Sequence, residues 1–462
     1  MPAAQKADEI GPTRKVAEFV HGAKLADIPP AAIENAKLQI LDTIGIGLAA
    51  LDQPVAKSIQ RYVRAMGGEP VATVLGMEGY KTSPPQAALA NGAFFNILDL
   101  DNHTATFVLP AVLAIGEMIG ASGEQVLEAY IVAAEASTRI DHTIDAARPN
   151  RGGPTFRGWY HVSILGPMGA AIAASKLLEM DVDQTRGAIG AAACSSGGVR
   201  QNMGRKAKSL FAGNSASLGV AAALLARDGV TGDPDILEGR LGIVSTLCLP
   251  NECDWSSIMS RLGNPYQLSR SVSMTRYPAI GAVNGMITAL ARMREAEALD
   301  VSQIASIEAR VVPSAASALT NTGLGITEYP DDELGGESSW CYALAATLVD
   351  GSFTVDHLSI ASVNNPRIRE LASKVALTPL KAWSDERESI SVRLRDGRTL
   401  TAEKGPTEGP ATREDFVAKF RDCAQRHFAA GDADTLYQRV MAIETLSNIS
   451  ELTAVCAAGA TR

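Results

Sequence analysis

Apolar residues recur at helical spacing through most of the first 260 residues. In "PPAAIENAKLQILDTIGIGLAAL", Pro29 and Pro30 open the segment, and Ile33, Ala36, Leu38, Leu41 and Ile44 then fall on one helical face. "SGEQVLEAYIVAAEASTRI" places Ser122 as an N-cap ahead of Glu124 and Gln125. "VSILGPMGAAIAASKLLEM" and "DVDQTRGAIGAAACSSGG" read as two further helices, the second capped by Asp181. "GNSASLGVAAALLARDG" is another, stopped by Gly229. Alanine and glycine are frequent enough in these helices to allow close approach, which predicts a compact helical bundle.

The pattern changes after about residue 265. "VSQIASIEARVVPSAA" alternates apolar positions at Ile304, Ile307, Ala309 and Val311, which predicts a strand. "ESISVRLRDGRTLTAEK" predicts a hairpin turning at Asp396-Gly397. Helices return between these in "YPAIGAVNGMITALARMREAEAL" and "SSWCYALAATLVDG", and the tail from Thr412 onward is amphipathic. The expected architecture is mostly α. A large all-α domain spans residues 1–265 and is completed by C-terminal helices in 411–462, with a smaller α+β domain at 266–410.

Composition narrows the function. A chain of 462 residues exceeds one ordinary core. Its net charge of −9 disfavours nucleic acid as a partner, because phosphate binding needs a concentrated positive surface. The six cysteines form no CxxC pair and have no histidine cluster beside them, so no metal site is expected. The N-terminal run lacks the apolar core of a signal peptide, and the apolar stretch "ILDTIGIGLAAL" carries Asp42 and is too short to span a bilayer. A soluble cytoplasmic protein with no membrane partner is the expectation.

Spacing disfavours phosphate-loop binding, and nothing points to a hydrolase triad. In "GGVRQNMGRKAKS" five residues separate Gly198 from Gly204, and no lysine follows the second glycine directly. No GxGxxG follows a strand, no GxSxG has a hydrolase context, and the six histidines contain no HExxH pair. What remains is a set of ionisable residues in apolar or glycine-rich surroundings. Asp99, Asp101 and His103 interrupt "FFNILDLDNHTATFVLPAVLAIGE", and His161 stands at a helix start. Lys206 and Lys208 precede another helix, and Arg276 and Tyr277 lie at the domain junction. A histidine at a helix start is often structural, and a lone lysine or arginine is usually a solvated surface group. Gathered in one cleft, however, a lysine, a histidine and an aspartate can move a proton at the carbon α to a carboxylate. Cationic side chains and helix N-termini would hold the substrate anion.

At these residues the chain resembles the MmgE/PrpD family, whose members are dehydratases, decarboxylases and epimerases of small carboxylates. The resemblance covers most of the chain. It is carried by "IPPAAIENAKLQILDTIGIGLAAL", "RGWYHVSILGPMGAAIAASKLLEMDVDQTRGAIGAAACSSGG", "KAKSLFAGNSASLGVAAALLARDGVTG", "RYPAIGAVNGMITAL" and "SSWCYALAATLVDG". It implies a homodimer, an α+β lid at 266–410 with the active site in the cleft between it and the all-α domain, no cofactor and no metal, and a small anionic carboxylate as substrate. Carried onto this chain, it implies catalytic roles for His161, Lys208, Asp99 and His103, and substrate binding by Lys206, Arg276, Tyr277 and Arg157. Departures fall on the family's substrate-contacting segments, among them a threonine, Thr275, where a lysine often precedes the Tyr-Pro pair, and the absence of Pro-Ser after His103. "DLDNHTATFVLPA" is shorter than the family's pattern, and Val162-Ser163 stands where Pro-Thr is usual. The expected reaction is a lyase step, dehydration or decarboxylation, on a small di- or tricarboxylate. An epimerase using two bases in the same cleft is the alternative, and a catalytically degenerate binding homologue is the third reading.

Overall fold

The computed structural model describes residues 10–100, 102–144, 154–249, 252–270, 272, 274–311, 329–381, 387–404 and 411–457. Asp101, among the ionisable residues singled out above, lies outside the described residues.

The first half is helical. Its main helices are α1 (Pro12–Gly22), α2 (Pro30–Ala49), α3 (Pro54–Met66), α4 (Pro84–Asn96), α5 (His103–Ile119), α6 (Gly123–Ile144), α7 (His161–Leu177), α8 (Val182–Ala193) and α9 (Leu210–Arg227). Local chemistry sets several of their ends. Ser122 and Gln125 exchange side-chain and backbone hydrogen bonds at the start of α6, and Asp181 and Gln184 do the same for α8. Beyond α9, Gly229 adopts φ 101°, a left-handed conformation in which glycine avoids the Cβ clash.

Glycine lets the central helices touch backbone to backbone. A Cβ on Gly219 of α9 would stand 2.3 Å from the Pro167 carbonyl oxygen of α7. A Cβ on Gly169 of α7 would stand 2.6 Å from the Phe107 ring of α5 and 2.5 Å from the Ser137 hydroxyl of α6. The close packing expected from the alanine and glycine content is therefore found at named positions. It also explains why Lys206–Arg227, which has the length and apolarity of a membrane span, is more than half buried among other helices.

The second half carries the sheet. Strands β1 (Ala72–Thr73) and β2 (Lys81–Thr82) form a small antiparallel pair within the helical part. A second sheet has the order β4-β3-β5-β6, built from β3 (Ile304–Val311), β4 (Val375–Pro379), β5 (Ser389–Leu394) and β6 (Thr399–Glu403). β3 pairs parallel to β4 and antiparallel to β5, and β5–β6 is the expected hairpin, with Gly397 at φ 94° in its turn. Ile304, Ile307, Ala309 and Val311 are all buried, as the alternating pattern requires. The sheet is accompanied by α10 (Gly281–Ala296), α11 (Trp340–Asp350) and α12 (Pro366–Ala372).

The chain ends in α13 (Arg413–Ala424), α14 (Ala430–Met441) and α15 (Ser450–Ala457). These dock on the first half. Lys419 of α13 pairs with Asp42 of α2 at 2.9 Å, Lys37 of α2 reaches Glu444 at 2.5 Å, and Thr453 of α15 donates to Glu117 of α5.

Candidate active site

His103 is the first residue of α5 and His161 the first of α7. Asn102 caps α5, its side chain accepting from the Ala105 N–H. The approach to α7 is fixed by pairing with a distant loop: Tyr160 N–H donates to the Gly198 carbonyl, and Arg200 N–H donates to the Gly158 carbonyl. These bonds bring the two imidazoles into a parallel stack, 4.9 Å between centroids with 3° between planes. Tyr160 meets both rings edge-on, at 6.0 Å from His103 and 5.0 Å from His161.

The stack faces a cavity of about 360 Å³ lined by Asp99, Asn102, His103, Thr104, Phe107, Ser137, Asp141, His161, Leu165, Thr275 and Gly281. Its wall therefore combines the N-terminal turns of two long helices with side chains from α6 and from the stretch before α10. Two helix N-termini opening on one cavity favour negative charge within it.

Asp99 is the link to the buried charge behind this wall. Its backbone takes φ 51°, left-handed and uncommon for a residue with a side chain, though aspartate tolerates it better than most. Its carboxylate lies 2.6 Å from the Lys208 ammonium, and Glu337 approaches the same ammonium at 3.1 Å. The Lys208 and Glu337 side chains are each only 2% exposed. Taking charges out of water is costly unless each finds a counter-charge in good geometry, and here one ammonium meets two carboxylates.

The structure thus brings His103, His161 and Asp99 to one cavity, with Lys208 attached through Asp99. It does not bring the four expected substrate-binding residues there, and in each case a nearer partner or a different wall is the reason. Arg157 makes paired contacts with Glu252 at 2.9 Å and also donates to the Leu247 carbonyl. Lys206 lies 2.8 Å from Glu333, whose hydrogen bond holds the Lys206 amine above its ordinary value. Arg276 and Tyr277 line a separate cavity of about 440 Å³ with Thr288, Arg292 and Arg294, and Arg276 points toward Asp415 at 3.8 Å.

Residues missed in the sequence are Ser137, Asp141 and Glu337. Ser137 and Asp141 are one helical turn apart on α6, a spacing that places them on one face. Glu337 carried a fainter signal, the acidic run "DDELGGE", opposite in charge to the basic "GRKAK". Among the described residues, no three His, Cys, Asp or Glu side chains converge as a metal-binding group.

The sequence profile of the MmgE/PrpD N-terminal domain matches residues 14–256, and that of the C-terminal domain matches residues 277–444. The chain belongs to the MmgE/PrpD family. It is 28% identical over 467 residues to the cis-aconitate decarboxylase of Homo sapiens, covering 96% of this chain and 93% of the human protein. It is 26% identical to a cis-aconitate decarboxylase of Aspergillus terreus, over 96% of this chain and 95% of the fungal protein. The cis-aconitate decarboxylase-like protein oryM of Aspergillus oryzae is 24% identical over 96% of both chains. In the fold, "DLDNH" supplies Asp99 and His103 to the cavity, "GWYH" supplies His161, and "KAKS" supplies the Lys208 that pairs with Asp99.

Proposed function

We propose that this chain is a lyase that decarboxylates a small unsaturated polycarboxylate by proton transfer, with cis-aconitate as the first substrate to test. The observation that carries the reading is the His103–His161 stack on two helix N-termini, facing one cavity and backed by Asp99 and Lys208. Similarity to cis-aconitate decarboxylases along nearly the whole chain supports it.

The chemistry follows from the substrate class. Decarboxylation of cis-aconitate breaks the bond between the allylic methylene and its carboxylate. That electron pair forms the new C=C bond, the original π pair accepts a proton at the carbon α to another carboxylate, and CO2 leaves. The protein has to hold two remaining carboxylates and deliver one proton to one carbon. The N-terminal turns of α5 and α7, with Thr104, Ser137 and Thr275 at the wall, suit the first task. An imidazolium of the stack suits the second, as a general acid within reach of the bound carbon. Asp99, anchored by Lys208, holds charge at the edge of the cavity and orients the acid. The residues that carry out these steps need no metal ion in this reading.

Two-base epimerisation fits the geometry less well. Two bases acting on opposite faces of one carbon must each stand about 3–3.5 Å from it. Imidazoles stacked at 4.9 Å offer no room for a carbon between them, so they serve one face.

The test is incubation of the full-length protein with cis-aconitate, following CO2 release and the methylidenesuccinate product by proton NMR. Product formation that disappears in His161→Ala and His103→Ala supports the reading. An active wild type with near wild-type rates in both variants would sink the assignment of the acid. Deuterium exchange into an unchanged skeleton would move the function to epimerisation. If no small carboxylate were turned over or raised the thermal midpoint, a non-catalytic binding protein would be the better account.

A further inference from the structure

Two stretches of opposite charge run alongside each other behind the cavity. The Arg205 guanidinium lies 3.0 Å from both oxygens of Asp331. The Lys206 ammonium lies 2.8 Å from Glu333, and the Lys208 ammonium 3.1 Å from Glu337. The three pairs become drier in order. Side-chain exposure falls from 42% and 67% at Arg205–Asp331, to 42% and 5% at Lys206–Glu333, to 2% and 2% at Lys208–Glu337. The innermost ammonium is the one that also holds Asp99.

Glu337 is itself firmly placed. The Asp332 carboxylate accepts from the N–H groups of Leu334 and Gly335, which tightens the acidic stretch into a knot. Gly336 packs so closely that a Cβ there would stand 2.8 Å from the Tyr342 ring. The Glu337 carbonyl accepts from the Ile280 N–H, one residue before Gly281, which lines the cavity. The residue thus touches the buried charge with its side chain and the cavity wall with its backbone.

We propose that Glu337 is a positioning residue for Lys208. Its carboxylate is a second anchor for the ammonium beside Asp99, so that Lys208, and through it Asp99 at the cavity wall, keeps one arrangement. The outer two pairs, Arg205–Asp331 and Lys206–Glu333, each keep a solvent-exposed cation and contribute little to holding Glu337. A lysine held by one carboxylate alone can rotate about that contact and admit water, whereas one held by two cannot do so without breaking a buried ion pair. Because Glu337 does not line the cavity, its removal affects turnover more than substrate affinity. The turnover arm of this inference rests on the function proposed above, and the geometric arm does not.

The test uses the full-length protein and the variants Glu337→Gln, Glu337→Asp and Asp331→Asn, with circular dichroism confirming the fold of each. Turnover of cis-aconitate is measured across pH, and acetylation of Lys208 by acetic anhydride is timed by mass spectrometry. Glu337→Gln is expected to lower kcat by about tenfold or more while KM stays within about threefold, and to shift the pH profile. Lys208 in that variant is expected to acetylate at least about fivefold faster, as its local opening becomes easier. Glu337→Asp should fall between Gln and wild type, and Asp331→Asn should stay within about twofold of wild type in both readouts. A folded Glu337→Gln protein with wild-type labelling and an unshifted pH profile overturns the proposal. Should Glu337→Gln fail to fold, unchanged labelling in Glu337→Asp overturns it equally. An inactive wild type would count against the proposed function, and Lys208 labelling would then decide the positioning role alone.

Discussion

The molecule has two cavities that attract attention for opposite reasons. One, between the starts of α5 and α7, is lined by two histidines, two aspartates and several hydroxyl and amide groups. The other, on α10, is lined by Arg276, Arg292 and Arg294 with Tyr277. A search for an anion site by counting guanidinium groups would choose the second. Two of its arginines have other engagements, however: Arg294 donates to the Leu348 and Val349 carbonyls, and Arg276 leans toward Asp415. In the first cavity the favourable potential comes from helix N-termini, and the titratable rings are locked in a stack by residues from separate parts of the chain. Preorganised groups aimed at one point serve chemistry better than a greater number of mobile charges.

The sharpest way to break this contrast is at the stack. Replacing His161 or His103 with alanine is expected to cost about 10²–10⁴-fold in kcat, the usual contribution of a general acid, with the thermal midpoint nearly unchanged. The second is at the buried charge. Lys208→Met leaves Asp99 and Glu337 facing each other without their cation, and should destabilise the fold by about 3–5 kcal/mol in chemical denaturation. The third addresses the other cavity: Arg276→Ala and Tyr277→Phe are each expected to change kcat/KM by less than about threefold. A loss like that of the histidine variants would return these residues to the substrate. The smallest effect lies at the half-exposed Lys206–Glu333 pair, where Lys206→Gln should cost less than about 1 kcal/mol. Its pH dependence has a defined sign. The Lys206 amine is held above its ordinary 10.5 by the Glu333 hydrogen bond, so the contribution is complete below that pH and is lost as pH rises through the folded-state value. Denaturation midpoints from pH 9 to 12 in wild type and Lys206→Gln should therefore converge at the alkaline end, within about 1 kcal/mol throughout.

Much of the helical frame was legible because periodicity and capping chemistry agree locally. The Ser122–Gln125 and Asp181–Gln184 exchanges and the Asp396-Gly397 turn are written within a few residues of one another. The residues gathered at the site were legible in a different way. Nothing local distinguishes His103, His161, Asp99 and Lys208 from ordinary polar residues; their order along a family pattern did. Partners far apart in sequence were not legible. Arg157 faces Glu252 across 95 positions, and Lys208 meets Glu337 only once both halves have folded. A basic residue near the site in sequence is therefore not yet a substrate ligand, since a carboxylate elsewhere can claim it first. Lys206 and Lys208 show this within three residues: one, itself partly exposed, meets the buried Glu333, and the other joins Asp99 and Glu337 in the interior.

On the proposed function, the histidine stack delivers one proton to the carbon α to a carboxylate as CO2 departs. Turnover of cis-aconitate in D2O by the full-length protein, read by proton and carbon NMR, tests it most directly. The expected product is methylidenesuccinate carrying a single deuterium on the saturated methylene carbon, with loss of this product in His161→Ala. Methylidenesuccinate lacking deuterium at that carbon, or carrying it undiminished in both histidine variants, would contradict it.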